Sequence, residues 1–145
     1  MRLIIQRVAN ASVTVGDEIV GQIGAGLCVF LGVGKSDDEI MARRLAEKLS
    51  SLRIFEDAHG KMNRSVADVG GEILVISQFT LYGDCTRGNR PSFSDAAPAA
   101  EAQRLYAIFV DHLKARGLRV ATGRFQAKMA VSLSNDGPVT FILEA

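Results

Sequence analysis

The sequence predicts an α+β fold in a single domain spanning residues 1–145, with a mostly antiparallel sheet and two long helices. Three observations carry that reading. The strand-like runs come as hairpin neighbours, which favours α+β over a doubly wound parallel sheet. Only two segments combine helical length with apolar residues at a 3.6-residue spacing. No Gly-x-Gly-x-x-Gly follows a strand and no P-loop is present, so a nucleotide cofactor is unsupported. A chain of 145 residues is long enough for one substantial core.

Residues 2–8 read as a first strand, and residues 12–15 and 19–23 as a hairpin about Gly16-Asp17. After Gly24-Ala25-Gly26, residues 27–33 form a nearly continuous apolar run, the pattern of a central buried strand. Ser36-Asp37-Asp38-Glu39 predicts a capping box in which Ser36 caps and Glu39 bonds back. The helix it opens places Met41, Leu45, Leu49 and Leu52 on one face and turns Arg43, Arg44, Glu47 and Lys48 to solvent. Residues 53–56 and 72–77 are strands on either side of a polar turn at 57–64. A loop at 86–91 leads to the second helix, residues 99–116, whose buried face carries Ala102, Leu105, Phe109 and Leu113. Lys114 and Arg116 complement its negative end, and Gly117 is placed to cap it. Residues 118–121 form a strand, and runs at 129–133 and 139–143 form a closing hairpin.

The composition narrows the function classes. A formal net charge of +1 supplies no global field for holding nucleic acid by counterion release, so any such contact has to be local. Few aromatics and no tryptophan argue against an extended base-stacking platform. No apolar run approaches the roughly 20 residues of a membrane span. The first strand carries Arg2 and Arg7 and does not resemble a signal peptide, so the expected compartment is the cytosol. Cys28 lies inside an apolar strand and reads as a small buried hydrophobe, whereas Cys85 is alone in a polar loop. Two such cysteines make neither a disulfide framework nor a metal site.

Chemistry has few places to reside. A serine or cysteine hydrolase needs a base beside its nucleophile, normally histidine. The chain has two histidines: His112 is one step off the buried stripe of the second helix, and His59 is in a turn with Gly60. Neither accompanies a nucleophile motif, and the same scarcity disfavours zinc. The strongest remaining candidate is Ser77-Gln78-Phe79-Thr80-Leu81, where an apolar strand ends in a cluster of polar side chains. Backbone amides there can bind an oxyanion; equally, Ser77 and Thr80 can cap the strand while Phe79 fills the core. The residues alone leave both open. Arg87 and Arg90, with Lys61 and Arg64, form the one local basic cluster, read either as a phosphate grip or as solvated loop charge.

The segment Ser134-Asn135-Asp136-Gly137-Pro138-Val139-Thr140 is the most unusual. Asp-Gly between two strand-like runs signals a hairpin turn, while Pro138 cannot donate to a ladder. Local rules therefore give a hairpin tip with a trans proline, since only about 5–6% of X-Pro bonds in folded proteins are cis.

Taken together, Ile5-Gln6-Arg7-Val8, Ser77-Gln78-Phe79-Thr80-Leu81, Arg90-Pro91-Ser92-Phe93 and Asn135-Asp136-Gly137-Pro138-Val139-Thr140 resemble the D-aminoacyl-tRNA deacylase family over essentially the whole chain. The resemblance implies a barrel-like sheet and a homodimer with active sites at the subunit interface. It implies hydrolysis of the ester joining a D-amino acid to the terminal ribose of tRNA, with no cofactor and no metal. Gly137-Pro138 would then be cis and reach into the partner's site, its carbonyls meeting the α-amino group and excluding an L side chain. Arg7 would fix that geometry. Ser77, Gln78, Phe79 and Thr80 would line the ester pocket, with amides near Phe79 and Thr80 serving the carbonyl oxygen. Phe125 and Met129 match positions that hold the terminal adenosine. The ribose 2′-hydroxyl would assist, which accounts for the missing histidine. The related branch acting on L-alanine has a Pro-Gln-Ala-Thr-Leu-like segment, and Ser77 and Phe79 place this chain on the D-specific side. Gln126 and Lys128 depart from the small and acidic residues that the family usually carries there. Two other readings compete: a noncatalytic module binding tRNA 3′ ends, and a small-ester hydrolase using Thr80 or Cys85 as nucleophile.

Overall fold

A computed structural model describes all 145 residues. The longest apolar alternation near the N-terminus folds as one 14-residue strand, β1 (Arg2–Val15), rather than two. It is followed by β2 (Glu18–Ile23), β3 (Gly26–Gly32), α1 (Glu39–Ser51), β4 (Phe55–Glu56) and β5 (Met62–Arg64). The chain continues through β6 (Glu72–Ser77), a short 3-10 turn (Phe79–Tyr82), α2 (Ala99–Ala115), β7 (Arg119–Thr122) and β8 (Ala130–Glu144). The strand expected at 53–56 shrinks to two residues, and the polar turn after it contains β5, its partner in a small separate ribbon.

β1 is the hub. One edge pairs with β3 over its first half, from Arg2↔Gly32 to Val8↔Gly26, and with β2 over its second, from Ala11↔Ile23 to Val15↔Glu18. Its other edge pairs with β8 along almost its full length. These three pairings are antiparallel, while β3–β6 and β6–β7 are parallel. The parallel pairs follow from connectivity: α1 lies in the crossover from β3 to β6 and α2 in that from β6 to β7. The curled sheet brings β2 against β7. A Cβ on Gly21 would lie 2.5 Å from the Thr122 carbonyl oxygen, so this glycine permits the near closure into a barrel.

Two cores result. The larger one joins Leu3 and Ile5 of β1, Leu27, Val29 and Leu31 of β3, and Ile73 and Val75 of β6 to the inward faces of both helices. The smaller fills the curl of the sheet with Val8, Ala11, Val13, Ile23, Cys28, Leu74 and Ile76. The central runs at β3 and β6 read as continuous apolar sequence because each residue meets one core or the other.

The first helix begins later than its sequence suggests. Asp38, not Ser36, caps it, its Oδ1 accepting the Met41 N–H at 2.8 Å. Asp37 turns away to receive the N-terminal ammonium and the Gly34 N–H, while Glu39 pairs with Arg43 at 2.7 Å. The buried stripe rotates accordingly to Ala42, Leu45, Ala46 and Leu49, which leaves Met41 and Leu52 at its margins. The second helix and β7 form within a residue or two of the expected bounds.

The largest difference is at the C-terminus. Residues 129–143 are not a hairpin: β8 is one continuous 15-residue strand. Both of its halves pair with β1, up to Val8↔Asn135 on one side and from Gln6↔Thr140 on the other. Residues 136–139 stand opposite Arg7 alone and are extruded as a bulge. The hairpin rule presumes that the two flanking runs pair with each other. Here a long strand from the other end of the chain supplies both partners instead.

Candidate active site

β6 delivers Ser77 to the C-terminal end of the parallel strands, and the 3-10 turn then folds back over the end of β3. The Gln78 N–H bonds the Leu31 carbonyl at 2.8 Å. Two glycines make the overlay possible: a Cβ on Gly32 would lie 3.0 Å from Leu81 Cβ, and one on Gly34 would lie 2.7 Å from the Tyr82 ring. Leu81 donates the first backbone bond of this turn, to Gln78 at 3.3 Å. The N–H groups of Phe79 and Thr80 precede it and have no partner within the turn.

Beside this turn opens a cavity of about 550 Å³. Ser77, Gln78 and Phe79 form one wall, Ala102 and Tyr106 of α2 another, and Phe125, Gln126, Ala127 and Met129 a third. Twelve of its fifteen lining residues are hydrophobic, so the few polar groups decide how a ligand is oriented. Phe79 is 58% exposed and packs edge-on against Phe93, with ring centroids 5.0 Å apart. It caps the mouth of the cavity and does not fill the core. Thr80 stands outside the lining; its Oγ1 accepts a hydrogen bond from Gln78 Nε2, which ties the Gln78 side chain down.

Tyr106 is a wall residue that the sequence reading missed. Its hydroxyl donates to the Val75 carbonyl at 2.7 Å, and burial pushes the phenol well above its usual range. It anchors α2 to the end of β6 and approaches Phe125, with ring centroids 6.1 Å apart. The signal was present, since a tyrosine flanks the buried stripe of α2 one residue after Leu105. The buried stripe as read from periodicity, Ala102, Leu105, Phe109 and Leu113, did not include it.

The second assembly is the β8 bulge. The Gly137–Pro138 peptide is cis, and Gly137 has φ 123°. A Cβ on Gly137 would lie 2.7 Å from Val139 Cγ2 and 3.1 Å from Arg7 Nη2, so only glycine fits this corner. Asn135 clamps its neck, with Nδ2 donating to the carbonyls of Arg7 and Val139, each at 3.0 Å. Arg7 is 5% exposed; its Nη1 donates to the Ile54 carbonyl at 2.9 Å and its Nε to the Asp136 carbonyl at 3.3 Å. The Asp136 and Glu56 carboxylates, 3.3 Å and 3.9 Å away, balance its charge.

These two assemblies are not adjacent within one chain. Arg7 is level with Leu27 at the start of β3, whereas Ser77 is level with Leu31 near its end. Four residues of strand separate them, roughly 13 Å at about 3.3 Å per residue, in addition to the lateral step between strands. The basic residues divide in the same way. Lys61 and Arg64 belong to the β4–β5 ribbon, close to the Arg7 end, where Arg64 bonds the Asp68 carbonyl at 2.6 Å. Arg87 and Arg90 lie in the exposed loop closed by the Asp84–Ser92 bridge, next to Phe93 and the cavity mouth. They form two groups, not one cluster.

No three His, Cys, Asp or Glu side chains are grouped closely enough to hold a metal ion. His59 and Cys85 are exposed and not among the lining residues, and His112 buries an unpartnered Nε2 on α2. A nearly closed mixed barrel, two helices on one face and an open apolar cavity at the strand ends define a small α+β domain with a ligand-sized pocket. Neither histidine is among the residues that line it.

Comparison with known proteins makes the class specific. The chain belongs to the D-Tyr-tRNA(Tyr) deacylase family, whose profile matches residues 4–144. It is 58% identical over 145 residues to the D-aminoacyl-tRNA deacylase of Roseiflexus sp. (strain RS-1), covering 100% of this chain and 94% of that protein. It is 60% identical over 144 residues to the D-aminoacyl-tRNA deacylase of Heliobacterium modesticaldum, covering 99% and 96%. Among solved structures it superposes on a c-Myc DNA unwinding element binding protein with a TM-score of 0.93 at 42% identity, covering 100% and 99%. It shares its fold with a probable eukaryotic D-amino acid tRNA deacylase, TM-score 0.86 at 18% identity, covering 98% and 97%.

Proposed function

We propose that this protein hydrolyses the ester of D-aminoacyl-tRNA, and of glycyl-tRNA, to free amino acid and tRNA, while L-aminoacyl-tRNA is rejected. Family membership supports the reaction class and disfavours a noncatalytic RNA-end-binding module. The observation that carries the mechanism is the Gly137–Pro138 corner, held rigid by Arg7 and Asn135 yet remote from its own chain's cavity. A second copy of the chain places this corner over the mouth of the first, so the working unit is a homodimer with composite sites. The exposed Phe141 and Ile142 on β8 suit burial in such an interface.

In the composite site the backbone carbonyls of Gly137 and Pro138 accept hydrogen bonds from the substrate α-ammonium. Their bare backbone leaves no room where an L side chain projects. The selection works by exclusion, so glycine passes. The N–H groups of Phe79 and Thr80 receive the ester carbonyl oxygen and stabilise the negative charge that develops on it, a contribution of about 10²–10³ in rate per donor in comparable sites. The terminal ribose 2′-hydroxyl assists cleavage of the neighbouring ester, which leaves the protein to position and polarise. Phe125 and Met129 hold the terminal adenosine. Arg87 and Arg90 meet phosphates of the same acceptor end, and Lys61 and Arg64 of the partner add to that track. A substrate of this kind places the work in the cytoplasm.

The test pairs D- and L-tyrosyl-tRNA with the purified protein and follows release of tyrosine. Loss of the D ester with survival of the L ester is expected, and equal cleavage of both refutes exclusion by the Gly137–Pro138 corner. Replacing the terminal 2′-hydroxyl by hydrogen stops the reaction if the RNA assists; undiminished cleavage would assign the chemistry to the protein.

A further inference from the structure

Gln126 is the only non-glycine residue with positive φ, at 61°. It occupies the third position of a turn closed by the Ala127 N–H on the Arg124 carbonyl at 3.2 Å, where a positive φ favours glycine or asparagine. A glutamine there adopts a sparsely populated backbone region that persists only where its surroundings over-determine it. Its two preceding neighbours are each tied to another element. Arg124 is ion-paired to Glu18 of β2 at 3.2 Å, and Phe125 packs towards Tyr106. Gln126 is thereby held at the rim of the 550 Å³ cavity, where it is one of very few polar groups in an apolar lining.

We propose that the Gln126 side-chain amide reads the Hoogsteen edge of the terminal adenine, an assignment that rests on the deacylase reading above. A primary amide presents a carbonyl acceptor and an N–H donor side by side. Adenine offers the complement, an N6 donor beside an N7 acceptor, whereas guanine offers two acceptors. Phe125, the preceding residue, supplies an aromatic face against which the base stacks. The backbone strain at Gln126 is then retained because it aims the amide at the base while the ring stays against the wall.

The experiment compares wild type, Gln126→Gly and Gln126→Glu on D-tyrosyl-tRNA ending in adenosine, 7-deazaadenosine or the purine ribonucleoside that lacks N6. Gln126→Gly suits the backbone, so its melting temperature is expected to equal or exceed that of wild type, while KM rises about five- to tenfold. Wild type is expected to lose a similar factor on either analogue, and Gln126→Gly to be indifferent to both. Unchanged KM in Gln126→Gly, with wild type equally active on all three tRNAs, overturns the contact and leaves the deacylase reading intact. Should wild type release no tyrosine at all, the deacylase reading fails instead. In that event, titrating adenosine 5′-monophosphate and its 7-deaza analogue against the ¹⁵N side-chain amide of Gln126 decides the contact without hydrolysis. A shift selective for adenosine supports it, and identical or absent shifts refute it.

Discussion

Replacing Arg7 tests whether a buried guanidinium holds the β8 bulge in shape. Arg7→Met keeps the length of the side chain but removes the donors that serve the Ile54 and Asp136 carbonyls. Hydrogen bonds to charged groups contribute about 1.5–3 kcal/mol each, and an unsatisfied buried acceptor costs about 1–3 kcal/mol. The flanking carboxylates Asp136 and Glu56 are more than half exposed, so their pairing with Arg7 adds at most about 1 kcal/mol. The two bonds and the carboxylates together come to about 3–7 kcal/mol, which at this chain length lowers the melting temperature by roughly 10–25 °C. Arg7→Lys keeps the charge but is a point donor that cannot span both carbonyls, so about half of that loss is expected. Because Arg7 Nη2 also lies against Gly137, both variants are expected to lower the ratio of D- to L-tyrosyl-tRNA cleavage. Calorimetry and the paired ester assay read the two effects. A melting temperature of Arg7→Met within a degree or two of wild type, with the D/L ratio intact, would refute the idea that Arg7 supports the bulge.

Gly137→Ala brings a methyl group 2.7 Å from Val139 Cγ2 at a φ that alanine avoids, so it lowers the melting temperature and D-selectivity together; thermal denaturation beside the paired assay checks this. Thr80→Ala frees the Gln78 side chain at the cavity wall and is expected to lower turnover by about tenfold or more, since small misplacements near the reacting atoms are costly. Cys85→Ala and His59→Ala, neither of which lines the cavity, should turn over as wild type does. Burial pushes the Cys28 thiol up from 9.0 to about 12, so iodoacetamide at pH 8 should label Cys85 alone in the folded protein and both thiols after denaturation, as counted by mass spectrometry. The unfolded chain releases the Cys28 proton above about pH 9 while the folded chain retains it towards 12. Stability from this group is therefore complete below pH 9 and lost as pH rises through that window, which a Cys28→Ala variant would not show.

The local signals in the chain were strong wherever one element answers to its own residues. The apolar runs at β3 and β6 declared buried central strands, and the spacing of Leu105, Phe109 and Leu113 declared α2 and its buried face. The polar cluster after Ile76 marked the end of a strand and left its role open; Ser77 through Phe79 do line the cavity. Ser36 shows where such signals fail: it matches a capping box, but Asp38 two residues on caps the helix while Asp37 is claimed by the N-terminal ammonium and Gly34.

The sequence by itself determined the class of fold, the two helices, the buried strands and, through its separated motifs, the family. Tertiary structure decided everything that depends on partners distant in the chain. Residues 129–143 carry a valid hairpin signal, but β1 is long enough to pair with both flanks, and the four residues opposite Arg7 had to leave the ladder. That extrusion made a rigid corner out of what local rules describe as a turn. The cavity likewise exists only because two parallel pairings place the end of β6 beside the 124–127 turn, and Gly21, Gly32 and Gly34 let backbones meet at distances no side chain allows. Periodicity records how a residue faces its own element. Which strand lies across from it is set by the global competition for hydrogen-bond partners and buried area, and no local pattern encodes that outcome.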